Sequence, residues 1–263
     1  MFGLDTLFSP AMVVALVAII IAGAIKHGAI GFGFPLISTP LIALLIDVKT
    51  AVLITVLPNV AVNVVSILRG GNWRESLGKH WPMAIWVVIG TVLGTHFLLM
   101  APPELLQVLL AAMILLFLVQ AFIRHLDWEW LIRRRAVSGT AFGVLAGLFS
   151  GAVNVGGPPL LIYFMILELP PVALTQTLNL CFLASKLGQA ATLSLAGPES
   201  LPLLTASLPL TGLAIASLLF GTQIQKRMSD AFYFKILRVT LAVFAILLIG
   251  QATIELGRRF HFW

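Results

Sequence analysis

The chain has 263 residues, of which 60% are hydrophobic and 10% charged, with a formal net charge of +6 and a mean hydropathy of +1.06. Soluble domains carry about 25% charged residues, so this composition excludes a soluble globule and describes an integral membrane protein with nearly all of its length in the bilayer. The single cysteine, Cys181, excludes a disulfide framework and a cysteine-rich metal site, and the excess of Lys and Arg reads as a topology signal rather than a nucleic-acid patch.

Residues Met1–Pro10 have no basic segment and carry Asp5, so no cleaved signal peptide is expected. Long apolar segments follow at Pro10–Ala29, Thr50–Leu68, Pro82–Met100, Leu105–Ile123, Val137–Val153, Val172–Leu195, Leu201–Ile224 and Ala231–Ile254. Most approach the ~20 residues that span a bilayer as a helix. Two shorter apolar pieces, Phe34–Ile46 and Pro158–Leu169, each follow a stretch rich in glycine and proline.

Those two stretches are Lys26–Leu36 and Ser150–Leu160. Glycine frees the backbone, and proline removes a donor and stops a helix. Backbone opened at membrane depth survives only where protein or a wet cavity covers it. Paired Gly/Pro interruptions at matching places in two halves point to a transporter's substrate site. The matching is visible here. Gly33, Pro35, Leu36 and Val48 fall on Gly157, Pro159, Leu160 and Val172 at a shift of 124, and Gly94-Thr95 falls on Gly221-Thr222 at 127. Thr55 and Asn59 recur as Thr175 and Asn179 at 120. We therefore expect two repeats, residues 1–123 and 137–263, joined by a cytoplasmic linker at 124–136.

The charges orient them. Basic residues cluster at Arg69–Lys79, Arg124–Arg135 and Lys226-Arg227, while Ala101–Glu104 and Gly197–Ser200 contain neither Lys nor Arg. By the positive-inside rule the first three face the cytoplasm and the last two face outward. Both short apolar pieces must then cross, which gives each half five crossings and inverts one half relative to the other. Ten crossings put twelve of the sixteen basic side chains inside and three outside, with Lys186 left within the membrane; eight crossings with two re-entrant loops split them nine to six. The expected fold is all-α, two inverted repeats of about five membrane-crossing segments, each with one Gly/Pro-broken helix pair.

All ten acidic residues fall at segment ends or in loops. Cation-coupled sites usually place carboxylates inside the membrane, and paired-carboxylate catalysis has no candidate here. The deep ionisable groups are Lys186, Lys26 and His27, which suit an anion. Lys186 either meets a ligand or snorkels to an interface, and Asn179 shares its helix face. Asn59 and Asn63 share another face, as substrate ligands or as interhelical glue. His27 could carry a proton or meet headgroups. The freed amides of both stretches offer a partially positive site for an oxyanion. The expected substrate-binding set is Gly31, Gly33, Pro35, Asn59, Asn154, Gly156, Gly157, Pro158, Asn179 and Lys186, with His27 as a possible proton carrier. The histidines have no metal-ligand spacing, and no metal or cofactor is expected.

The Gly31-Phe32-Gly33-Phe34-Pro35 and Val155-Gly156-Gly157-Pro158-Pro159 motifs, with the Gly94-Thr95 and Gly221-Thr222 pair and the length, resemble the TauE/SafE sulfite exporter family, also called the toluene sulfonate uptake permease family. The resemblance covers essentially the whole chain. It implies a bacterial inner-membrane carrier for sulfite, sulfonates or related small sulfur anions, with the lipid bilayer as its other partner and no nucleic acid. One departure is the first copy, Gly-Phe-Gly-Phe-Pro rather than a denser glycine run, which implies two unequal half-sites. A passive anion channel and, less favoured, an intramembrane enzyme are the alternatives.

Overall fold

The computed structural model describes residues 4–71, 73–123, 128–197 and 200–224, with isolated helical positions between 242 and 253. Among the described residues there is helix and no strand. The helices are α1 (Leu4–Leu7), α2 (Pro10–Ile30), α3 (Pro35–Leu45), α4 (Val48–Arg69), α5 (Trp73–Met100), α6 (Pro103–Ile123), α7 (Glu129–Arg133), α8 (Arg135–Val153), α9 (Gly157–Ile166), α10 (Pro171–Leu195), α11 (Leu201–Ala206) and α12 (Leu208–Ile224). The expected segment Ala231–Ile254 and the basic pairs Lys226-Arg227 and Arg258-Arg259 lie outside the described residues, apart from the isolated positions.

Among the described residues, six stretches are long and apolar enough to cross a membrane: α2, α4, residues 80–100 of α5, residues 103–120 of α6, α8, and the α11–α12 pair. The protein is therefore a multi-pass membrane protein. α10 has 25 residues, ample to span, but is less apolar because it buries Gln176, Thr177, Asn179, Ser185, Lys186 and Gln189. A helix can carry such a face in a membrane only when protein covers it, and α10 packs against α4, α5, α8 and α9.

Local chemistry fixes the helix starts. Ser9 caps α2 by accepting from Met12 N–H, with Pro10 at the first helical position. Asp47 caps α4, accepting from Thr50 N–H at 2.8 Å and from its hydroxyl at 2.6 Å. α3 and α9 have 11 and 10 residues, so each rises only about 15 Å, half of a bilayer core.

The packing repeats along the chain. Gly28 of α2 lies directly on the carbonyl of Leu218 in α12, with Thr222 N 3.0 Å from where a Cβ would stand. Gly151 of α8 lies on the carbonyl of Thr91 in α5, with Thr95 N at 2.8 Å. Gly151 follows Gly28 by 123 positions, and Leu218 and Thr222 follow Thr91 and Thr95 by 127. Gly221 on the carbonyl of Ile25 and Gly94 on that of Leu148 obey the same two shifts. Small residues let membrane helices approach this closely. α2 with α12, and α5 with α8, are thus one packing unit used twice.

Candidate functional site

Both Gly/Pro stretches break the helix by the same device. α2 ends at Gly31 in the left-handed region, φ 93°, and Gly31 N–H donates to the His27 carbonyl at 2.7 Å. Gly33 follows at φ 85°. α8 ends at Asn154, also left-handed, φ 65°. Glycine adopts that conformation without a Cβ penalty, and asparagine is the side chain that tolerates it best. Prolines then restart each chain as α3 and α9.

Each break is held by side chains. Lys26 donates to the carbonyls of Gly33 at 2.9 Å and Phe32 at 3.3 Å, with its amino group 5.5 Å from the Phe32 ring centroid. His27 shares a 3.0 Å hydrogen bond with the Ser66 hydroxyl, and its Nδ1 accepts from Phe34 N–H at 3.3 Å. That bond assigns the ring proton to Nε2 in the neutral imidazole. Asn179 crosses from α10 and donates to the Gly31 carbonyl at 2.7 Å. At the second break Asn154 donates to the hydroxyls of Thr39 and Thr55, both at 2.8 Å. Lys186 donates to the Ser150 carbonyl at 2.9 Å and to Gln189 Oε1 at 2.6 Å.

A cavity of about 530 Å³ adjoins the first break, within the ~300–1,000 Å³ typical of small-molecule sites. It forms where α2 and α4 end and α10 begins, against α12. Its described polar lining is His27, Ser66, Arg69, Thr175, Gln176, Asn179, Thr222 and Gln223, with no Asp or Glu among these described residues. The ends of α2 and α4 present C-terminal carbonyls and that of α10 an N-terminus, which offsets one of the two. Donors from Asn179 and Lys26 also occupy carbonyls of the first break. The side chains therefore set the sign. Arg69, exposed at the rim, makes the cavity a place for an anion. Gln176 Oε1 is buried and without a partner.

Between the two breaks the space is different. There a pocket of about 20 Å³ is enclosed by Phe32, Pro35, Leu36, Phe117, Leu161 and Phe182, with Asn154 its one amide side chain. That is room for about one water molecule.

The family model described as Sulfite exporter TauE/SafE matches residues 15–249, across both breaks and the whole cavity. The chain belongs to the TauE/SafE sulfite exporter family. No curated protein and no solved structure gives a significant match. TauE/SafE proteins are transporters named for moving sulfite.

The residues expected for the site divide among three places. Gly31, Asn179 and His27 line the cavity. Gly33, Pro35, Asn154, Gly156, Gly157 and Pro158 border the small pocket. Lys186 and Asn59 are buried and line neither, Lys186 being engaged with Ser150 and Gln189, and Asn59 accepting from Asn63 through its carbonyl at 2.6 Å and its Oδ1 at 2.9 Å. The cavity also recruits Ser66, Arg69 and Gly70, which the sequence reading did not single out. The signal existed: Asn59, Asn63, Ser66 and Gly70 recur at helical spacing along α4, and the stripe runs to the helix end. A second overlooked signal was Gly139, Gly143, Gly147 and Gly151, every fourth residue of α8, the pattern of a close helix–helix contact.

Proposed function

We propose that this protein is a secondary carrier in the bacterial inner membrane that exports a small sulfur-containing anion, such as sulfite or an organosulfonate, by alternating access. The observation that carries the reading is the cavity at the first break. It has a cationic rim, carries no carboxylate among its described lining residues, and opens beside Arg69 at the end of α4, the side that the positive-inside rule would make cytoplasmic. An anion entering from the cytoplasm would meet Arg69 first, then Gln176, Asn179 and Ser66 deeper in. The apolar pocket between the breaks would stop it from passing straight through.

The two halves, residues 1–123 and 137–263 with a linker at 124–136, are read as inverted repeats with ten crossings. The repeated glycine contacts of α2 with α12 and of α8 with α5 support this, because a duplicated unit carries its own interfaces with it. Rocking one half against the other would close the cavity and open its counterpart. The membrane potential favours outward movement of an anion by about 2.3 kcal/mol per charge per 100 mV. Proton coupling through His27 is the weaker addition, since protonating Nδ1 would displace the Phe34 N–H.

A thermal-shift screen of the purified protein with sulfite, sulfate, thiosulfate and small sulfonates tests the reading, because a ligand of the native state raises its stability. Sulfite flux in liposomes should accompany the shift and show counter-transport. Stabilisation by none of these anions, or conduction without counter-transport, would overturn it in favour of another cargo or a channel.

A further inference from the structure

Around the second break lies a group of buried polar side chains that the cavity does not use. The hydroxyls of Thr91 in α5 and Ser185 in α10 are 2.8 Å apart, and those of Ser185 and Ser150 in α8 are 2.7 Å apart. Lys186 donates to the Ser150 carbonyl and Gln189 to the Gly151 carbonyl at 2.8 Å. All five side chains are at most 2% exposed, and none lines the cavity or the small pocket. Such a dense polar group is expensive to keep inside a membrane protein unless it has a use.

The packing repeat says where this group belongs. His27 and Ser66, which bridge α2 to α4 on the cavity wall, stand 123 positions before Ser150 and, by the shift of 120 that relates Thr55 and Asn59 to Thr175 and Asn179, before Lys186, a pair that bridges α8 to α10. Leu218, on the cavity wall, stands 127 positions after Thr91. Wall residues of the open cavity at the first break thus correspond to members of the buried polar group at the second.

We propose that Thr91, Ser150, Ser185, Lys186 and Gln189 form a second oxyanion subsite, the closed outward half of the path, occupied when the cavity at Gly31 is shut. This rests on the transport reading above. In the outward-open state α8 would separate from α5 and α10. The hydroxyls and the Lys186 amino group would then exchange their mutual partners for the oxygens of the anion. The inner cavity has no lysine among its described lining residues, so the two half-sites bind the same anion through different donors.

The test measures initial sulfite flux from each face of oriented liposomes containing the full chain. Lys186→Gln and Ser185→Ala should each raise KM from the outer face by about tenfold and leave KM from the cytoplasmic face within about twofold, the cost of truncating one buried donor to an anion. Lys186→Arg should recover most of the outer-face affinity. Equal shifts on both faces, or none, would overturn the assignment. Should Lys186→Gln fail to fold, Thr95→Cys in a Cys181→Ala background supplies a second measurement. Thr95 is fully buried beside Gly151, so a membrane-impermeant maleimide added from outside before any sulfite should modify it only if the seam opens outward. A carrier that moves sulfite while this cysteine stays unlabelled contradicts the proposal. Labelling in a protein that moves no sulfite would instead leave the path standing and strike the choice of cargo.

Discussion

At the first break Gly31 ends α2 beside a cavity of about 530 Å³, whereas at the second Asn154 ends α8 beside a space of about 20 Å³. The backbone device is the same, so the difference comes from the walls. α8 leans on α5 through Gly90, Gly94, Gly147 and Gly151, each lying on a facing carbonyl. α2 leans on α12 through Gly28 and Gly221 only, and Ala24 and Ser217 stand where the shifts place Gly147 and Gly90. Hydrogen bonds follow the same bias. Among the described residues, two side-chain bonds, His27 to Ser66 and Asn179 to the Gly31 carbonyl, join helices at the open side, while Thr91, Ser150, Ser185, Lys186 and Gln189 tie three helices together at the sealed side. The proposed alternating access would need this kind of imbalance: two similar half-paths, one held shut by contacts that the other lacks.

The strongest way to break the comparison is to wedge the walls apart. Gly94→Leu and Gly221→Leu each drive a side chain into a facing backbone and should cost about 3 kcal/mol, with the α5–α8 variant worse because its interface is closer. Thermal unfolding in detergent reads this, and unchanged melting of either variant would refute the close approach. Next come the break residues themselves. Asn154→Ala should lose about 2 kcal/mol from the bonds to Thr39 and Thr55. Asn154→Gly should recover about 1 kcal/mol of that by accepting the left-handed backbone, and the order of the two melting temperatures checks it.

Smaller effects separate recognition from stability. Arg69→Gln should weaken sulfite binding by about tenfold and flatten its salt dependence, with stability changed by less than about 0.5 kcal/mol because the side chain is exposed. Titration of the melting temperature with sulfite measures both. The mildest change is Gly70→Ala. Its Cβ would meet the Gln176 amide, the far end of a flexible side chain, so the amide swings aside and KM from the cytoplasmic face rises by no more than about threefold. A KM shift as large as that of Arg69→Gln would mean that Gln176 binds the anion more directly than the cavity wall suggests.

Much of this was legible in the chain. The apolar segments gave α2, α4, α6, α8 and α10 to within two residues, although α5 begins at Trp73 rather than Pro82 and Leu201–Ile224 is interrupted at Ser207, and the Gly/Pro stretches gave both breaks. Lys26 shows where the reading stopped. Sequence placed it near one end of the first span, but its amino group turns back onto the carbonyls of Phe32 and Gly33, a partner choice that depends on how residues 31–34 fold. Lys186 is similar: its depth was evident, its engagement with Ser150 and Gln189 was not. Arg69 looked like an ordinary topology marker, and only the convergence of α2, α4, α10 and α12 makes it the rim of a cavity.

Composition and periodicity by themselves determined a membrane protein, the position of its broken helices, and a polar interior poor in carboxylate, because these follow from hydrophobic length and backbone chemistry. Which break is wet and which is sealed was decided by the tertiary structure. That outcome depends on whether facing glycines let two helices touch and on whether buried donors find one another across three helices, distances that no linear spacing contains.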